Sequence, residues 1–244
     1  MTEQKSSRLS RYRDQYRLTK SEHRPLPVLV PFASIAVLVV IALLFLDPLA
    51  GNMHGHWPSW LANNAAHVTD VGRSWWILTL STTILLGGWA LQRIGAFQSA
   101  ERTVVRATSM AFYILCSVGL SALIANILKR AIGRPRPVEY GEHGLFSFHP
   151  FTWNFDFESF PSGHSTVNGA LFMALALLFP RLRWPLLALG FCFALTRIFV
   201  GAHFPSDVAA GFGFGMWFAF VTALVFSRFG LVFGTSGERL SRLT

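Results

Sequence analysis

Six uninterrupted apolar blocks leave this chain few ways to fold: residues 28–46, 75–91, 107–128, 165–179, 184–200 and 208–226. Crossing a ~30 Å hydrocarbon core takes about 20 apolar residues in a helix, and the fourth block reaches that length only with neighbours at its start. Within lipid every backbone polar group must pair internally, which restricts spanning structures to helices and closed barrels. Barrel strands would alternate apolar and polar residues, and these blocks do not. The expected fold is therefore all-α: a polytopic membrane bundle of six transmembrane helices. With 52% hydrophobic and 14% charged residues, the chain lacks the half-apolar faces of a soluble domain.

Residues 1–24 are rich in Lys and Arg and precede an apolar run without a small-residue cleavage site, so they read as a cytoplasmic tail and not a removable signal. Residues 25–228 then form one transmembrane domain, and 229–244 a second cytoplasmic tail. Cys116 and Cys192 lie in apolar segments and read as small hydrophobes. No repeat or linker divides the chain.

With the N-terminal tail inside, six spans place three loops outside and two inside, and the cations can be sorted by side. Fifteen of the twenty-one Lys and Arg residues fall inside. The first outer loop carries only Arg73. The other five, Lys129, Arg130, Arg134, Arg136 and Arg197, gather at the outer ends of the third and fifth spans, against the positive-inside rule. For Arg130 and Arg134 the reading stays open between interfacial snorkelling and a place in a site. Lys129, Arg136 and Arg197 lie near histidines on the same face. Cations without a matching surplus of carboxylates suit an anion, and guanidinium forks beside an ammonium suit phosphate oxygens. No nucleic-acid partner is expected.

Two further stretches belong to that face. In "PSGH", a proline and a small hydroxyl residue precede an apolar run, so Ser162 reads as a helix N-cap. The unpaired N–H groups of the first turn would then face an anion, Gly163 would let it approach, and His164 would sit at the lip. In "GAHFPSDVAAG", Pro205 fits the first position of the last helix and Asp207 the third, from where it can reach back to His203. A carboxylate bonded to one ring nitrogen fixes the tautomer and leaves the other nitrogen for substrate. His203 is the candidate nucleophile and His164 the candidate acid for the leaving oxygen.

Lys129 with six residues before Arg136-Pro137, then Pro161-Ser162-Gly163-His164, then Arg197 with five residues before His203 and three before Asp207, resembles the signature of the type 2 phosphatidic acid phosphatase superfamily. Its members include bacterial membrane lipid phosphatases, glucose-6-phosphatase and vanadium haloperoxidases. The resemblance implies a two-step phosphoryl transfer that needs no metal or other cofactor. His203, oriented by Asp207, would attack phosphorus; Lys129, Arg136, Ser162, Gly163, Thr196 and Arg197 would hold the phosphate; His164 would protonate the departing lipid oxygen and then activate water. Where the family has serine before the third-motif arginine, this chain has Thr196, whose hydroxyl can make the same bond to phosphate.

The resemblance and the topology together point to a lipid phosphate phosphatase of the bacterial inner membrane, its active site facing the periplasm and both termini cytoplasmic. Compatible substrates are lipid A 1-phosphate, phosphatidylglycerophosphate and phosphatidic acid, with undecaprenyl diphosphate as the alternative. Metal-assisted hydrolysis through His54, His56, His143, His149, Asp156 or Glu158 competes, but no pair of these has a recognisable ligand spacing. A transporter would carry its charges near mid-span on broken helices, whereas these lie at span ends. Trp57 and Trp60 read as belt anchors or as part of an interfacial segment shaping a sideways substrate path, and "FSFHPFTWNFDFESF" as an apolar wall for the lipid.

Overall fold

A computed structural model describes residues 28–94, 101–236 and 239–242; the basic segment 1–24 lies outside the described residues. In chain order the helices are α1 (Leu29–Asn52), α2 (Ser59–Val68), α3 (Ser74–Arg93), α4 (Glu101–Ile132), the short α5 (Tyr140–His143), α6 (Gly163–Leu178), α7 (Arg183–Phe199) and α8 (Pro205–Arg228). The six apolar blocks form α1, α3, α4, α6, α7 and α8. Five of these are long and apolar enough to cross a membrane, and α6 is shorter at 16 residues. Its length of about 24 Å falls short of the hydrocarbon thickness. The deficit is tolerable because α6 is the central helix, with eleven of its residues buried among α4, α7 and α8.

Glycine sets how closely that centre packs. A methyl group on Gly215 would stand 2.1 Å from the Thr166 carbonyl, one on Gly211 2.3 Å from the Ser162 carbonyl, and one on Gly169 2.1 Å from the Phe212 carbonyl. The α6 and α8 backbones therefore touch, as small residues four apart allow in membrane helices, and the contact ties the Ser162 turn to the start of α8. Gly215→Ala should force the two helices apart at a cost of about 1–3 kcal/mol. Gly87→Ala, where a methyl group meets nothing within 4 Å, is the control. Thermal unfolding in detergent should show a lower midpoint for the first variant only; equal midpoints would mean that this crossing does not limit stability.

Because the six long helices alternate in direction, one end of the bundle collects the C-terminal ends of α1, α4 and α7 and the N-terminal ends of α3, α6 and α8. All three motifs lie there. α4, about 48 Å long, carries Lys129 in its last turn. At the opposite end two strands, Phe233–Ser236 and Arg239–Arg242, pair antiparallel. Within the segment read as a cytoplasmic tail, Val232 and Phe233 are buried in a cluster with Tyr113, Leu178 and Phe226. The first outer loop also differs from expectation. α1 continues helically to Asn52, which puts Asp47 inside a helix and fully buried. Trp60 is exposed, while Trp57 packs edge-on against Phe199 with ring centroids 5.3 Å apart.

Candidate active site

Ser162 caps α6 as its residue type predicts: its hydroxyl oxygen accepts from the Ser165 N–H at 3.4 Å and the Ser165 hydroxyl at 2.9 Å. Its own proton is left to donate. The Ser162 N–H donates to the Asp207 carbonyl at 3.0 Å, joining the second and third motifs through backbone. Gly163 opens the helix beneath Lys129, and a methyl group there would come within 3.4 Å of the ammonium nitrogen. Lys129, Gly163 and His164 line a cavity of about 290 Å³ together with Gly72, Arg73, Ser74, Trp75, Ala122, Asn126 and Val167.

Arg136 is buried and braced by backbone carbonyls: Phe155 at 2.9 Å, Ala202 at 3.1 Å and Glu158 at 3.3 Å, with its guanidinium carbon 3.7 Å from the Phe155 ring centroid. Three of its five N–H donors are so engaged, and two remain for an anion. Arg197 is less encumbered. Its Nη1 donates to the Thr69 hydroxyl at 2.8 Å, and its Nε is buried without a partner among the described residues. A buried donor without an acceptor is rare in folded proteins and fits a site that awaits an anion.

Thr196 does not point its hydroxyl at that anion. The hydroxyl lies 2.7 Å from the Phe193 carbonyl and 3.1 Å from the Thr69 hydroxyl. Thr69, from the turn after α2, touches both Thr196 and Arg197, so Thr196 reaches the site through its neighbours. The reason is local: on a helix a threonine hydroxyl finds the carbonyl three or four residues back.

The histidine of the third motif is almost fully enclosed, at 2% exposure. Pro205 opens α8 as expected, and Asp207 at its third position accepts from the Phe204 N–H at 2.9 Å. The direct Asp207–His203 hydrogen bond expected from the sequence is a looser contact: Nδ1 to Oδ2 is 3.8 Å, with the Ser159 hydroxyl bonded to that same oxygen and 3.5 Å from Nδ1. The carboxylate is drawn away because it also caps its own helix and accepts from Arg134 through Oδ1. Catalytic hydrogen bonds are often long before substrate is bound.

Burial, helped by the charges of Arg136 and Arg197 and opposed by Asp207, pushes the His203 imidazole down to about 4. The ring is therefore neutral at pH 7, and it loses its nucleophilic lone pair only as pH falls through about 4 instead of the ordinary 6.5. Nitrogen-15 NMR of the detergent-solubilised protein, with the resonance assigned by its loss in His203→Gln, should place this titration near 4; a midpoint at or above 6.5 would overturn the assignment.

The two arginines left open by the sequence part company here. Arg130 is a surface residue, stacked on Trp153 and 3.3 Å from Glu158. Arg134 is 1% exposed and bonded to Asp47, Ser206 and Asp207, so it is no snorkelling residue. Sequence reasoning missed Asp47, Thr69, Ser159 and the place of Arg134. A lone carboxylate at the end of an apolar block was the one available signal, because such a charge is costly there.

Of the residues considered as metal ligands, among the described residues His143 alone joins a group of ligand atoms within 4.8 Å, with Glu139 and Glu142. His56 bonds the His54 carbonyl, His149 packs on Phe157 and Glu158 pairs with Arg130.

The fold and site define a multi-pass helical membrane protein with a cationic, histidine-bearing pocket at one end of its bundle. The chain belongs to the PAP2 superfamily, whose family model matches residues 110–231. It is 40% identical to the lipid A 1-phosphatase of Rhizobium johnstonii over 202 residues, which cover 83% of this chain and 82% of that protein. It is 32% identical to an undecaprenyl-diphosphatase of Bacillus subtilis over 114 residues, 46% of this chain and 53% of that protein. In fold it is similar to the crystal structure of a transmembrane PAP2-type phosphatidylglycerolphosphate phosphatase from Bacillus subtilis, with a TM-score of 0.55 and 20% identity, covering 82% of this chain and 96% of that one.

Proposed function

We propose that the protein is a lipid phosphatase that removes a phosphate group from a bacterial envelope lipid, with lipid A 1-phosphate as the favoured substrate. The observation that carries the lipid reading is an apolar groove on the same three helices as the cavity. Below the Lys129–His164 cavity, between the same three helices α3, α4 and α6, lies an apolar groove of about 520 Å³ lined by Ile77, Leu80, Ile84, Ala111, Ile114, Leu171 and Leu175. In this reading the phosphate occupies the polar cavity and an acyl chain lies in the groove along the same helices. The extent of the match to the Rhizobium enzyme favours lipid A over other lipids.

In the proposed reaction His203 attacks phosphorus in line through Nε2, and the bond from phosphorus to the lipid oxygen breaks. Lys129, Arg136, Arg197, the Ser162 hydroxyl and the first-turn N–H groups of α6 hold the equatorial oxygens as their charge redistributes. In-line attack puts the leaving group opposite His203. His164 lines the cavity beside Lys129 and Gly163; the negative charge of a bound phosphate favours its imidazolium form, which gives the leaving oxygen its proton. It then takes a proton from water, which attacks the phosphohistidine and releases inorganic phosphate and neutral His203. Fixed cations meet the charge demand, so a chelator should leave turnover unchanged. The site end faces the periplasm of the inner membrane and both termini the cytoplasm, a placement supported by the sorting of cations between loops.

The deciding experiment is a phosphate-release panel in detergent, with chelator, on lipid A 1-phosphate, phosphatidylglycerophosphate, phosphatidic acid and undecaprenyl diphosphate. Lipid A should give the highest kcat/KM. Preference for undecaprenyl diphosphate would establish the reading favoured by the second relative, and no release from any lipid would refute both.

A further inference from the structure

The first span contributes little to the core. None of the residues in Leu29–Ile41 is buried. Burial begins at Ala42, where the helix makes a π turn over Ala42–Leu46, and Asp47 follows directly with no exposure at all. A π turn inserts one residue into a helix and turns everything after it by roughly 100°, a device frequent at functional sites. Here Leu44, Phe45 and Leu46 remain on the exposed side while Asp47 faces the bundle.

Both carboxylate oxygens of Asp47 are bonded. Oδ1 accepts from the Ser206 N–H at 2.9 Å, and Oδ2 from the Ser206 hydroxyl and from Arg134 Nη2 at 2.8 Å. The other arm of Arg134, Nη1, donates to Asp207 Oδ1 and to the Ser206 hydroxyl at 2.7 Å, and the Phe204 ring lies 4.7 Å from the guanidinium carbon. One guanidinium thus joins a carboxylate of the first span to the carboxylate beside His203. Neither Asp47 nor Arg134 belongs to the three motifs.

The charges of this buried group do not cancel. One cation faces two carboxylates, a net charge of minus one while His203 is neutral. Phosphorylation of His203 turns its ring into a cation, so that ring, Arg134, Asp47 and Asp207 then sum to zero, while the negative charge of the phosphoryl group is met by Lys129, Arg136 and Arg197. Resting on the phosphatase reading, we infer that Asp47 and Arg134 are positioning residues for phosphoryl transfer: Arg134 holds Asp207 by one oxygen so that the other stays turned to His203, and Asp47 holds Arg134 while supplying the charge that the imidazolium balances. The first span acts on the reaction through this one side chain. Neither residue touches the phosphate.

The test compares the wild type with Asp47→Asn, Arg134→Gln and the double variant. Asp47→Asn keeps the shape and removes the charge; kcat should fall about 10²-fold with KM within about twofold, because the phosphate clamp lies on other elements. Arg134→Gln leaves two buried carboxylates facing each other and should lower the unfolding temperature as well as kcat. The double variant restores the net charge of minus one, so stability should recover toward the wild type while kcat stays at least about tenfold down. Should Asp47→Asn fail to insert, the double variant carries the test alone. Wild-type kcat in either Asp47→Asn or the double variant overturns the role and reduces the network to a structural one. A wild-type protein that releases phosphate from no lipid overturns the phosphatase reading and this role with it.

Discussion

Phosphate release should fall by at least about 10⁴-fold when His203 is replaced by glutamine, while the protein still inserts and folds. Glutamine keeps a polar group beside Ser159 and Asp207 but offers no nucleophilic nitrogen. Loss of a covalent nucleophile removes nearly all the acceleration, because the remaining groups act together with it and not beside it. The fold should survive because Asp207 keeps its other bonds, to Arg134, Ser159 and the Phe204 N–H. The measurement is inorganic phosphate released from the preferred lipid, alongside size-exclusion behaviour and unfolding temperature. Turnover within tenfold of wild type would remove His203 from its role, and with it the phosphohistidine route.

His164→Ala should reduce lipid turnover by about 10²–10⁴-fold, the usual worth of a positioned acid or base. The variant also separates the two steps. An activated aryl phosphate has a leaving group that needs no proton, so its first cleavage should proceed and leave phosphate on His203. Without His164 to activate water, the second step stalls. The expected result is a burst of one aryl alcohol per enzyme and an acid-labile phosphoenzyme that His203→Gln does not form. His164 is only half-buried, at the lip of the cavity, so its truncation should leave the bundle intact. Steady turnover of lipid at the wild-type rate would show that another group moves the proton.

Much of the architecture follows from local rules that operate along the chain. A span of about 20 apolar residues must become a helix in lipid, whatever its neighbours do. Ser162 caps α6 and Pro205 opens α8 because residue type and position fix those features within one turn. Alternation of direction then carries all three motifs to one end, so the gathering of Lys129, Arg136, His164, Arg197 and His203 was legible before any contact was known. The short fourth span was also visible, though not that its burial at the centre makes the shortness tolerable.

Other parts depend on partners far along the chain. Thr196 resembles a phosphate ligand in sequence, yet its hydroxyl meets Thr69, 127 residues away. The residues after α8 read only as a tail in sequence, and Val232 and Phe233 are buried against Tyr113 because the turn after α8 brings them back onto the bundle. Arg134 lies two residues from Arg136 in the same loop, and nothing local distinguishes a guanidinium that braces carboxylates from one held by backbone carbonyls.

The sequence by itself determined the helical membrane class, the end of the bundle at which all three motifs lie and the residue types available there, since each follows from hydropathy or from spacing within a turn. Only the tertiary structure decided which polar group meets which. Burial makes such pairing compulsory: a charge removed from water must find a partner, and for Asp47 those partners are Arg134 and Ser206, 87 and 159 residues away.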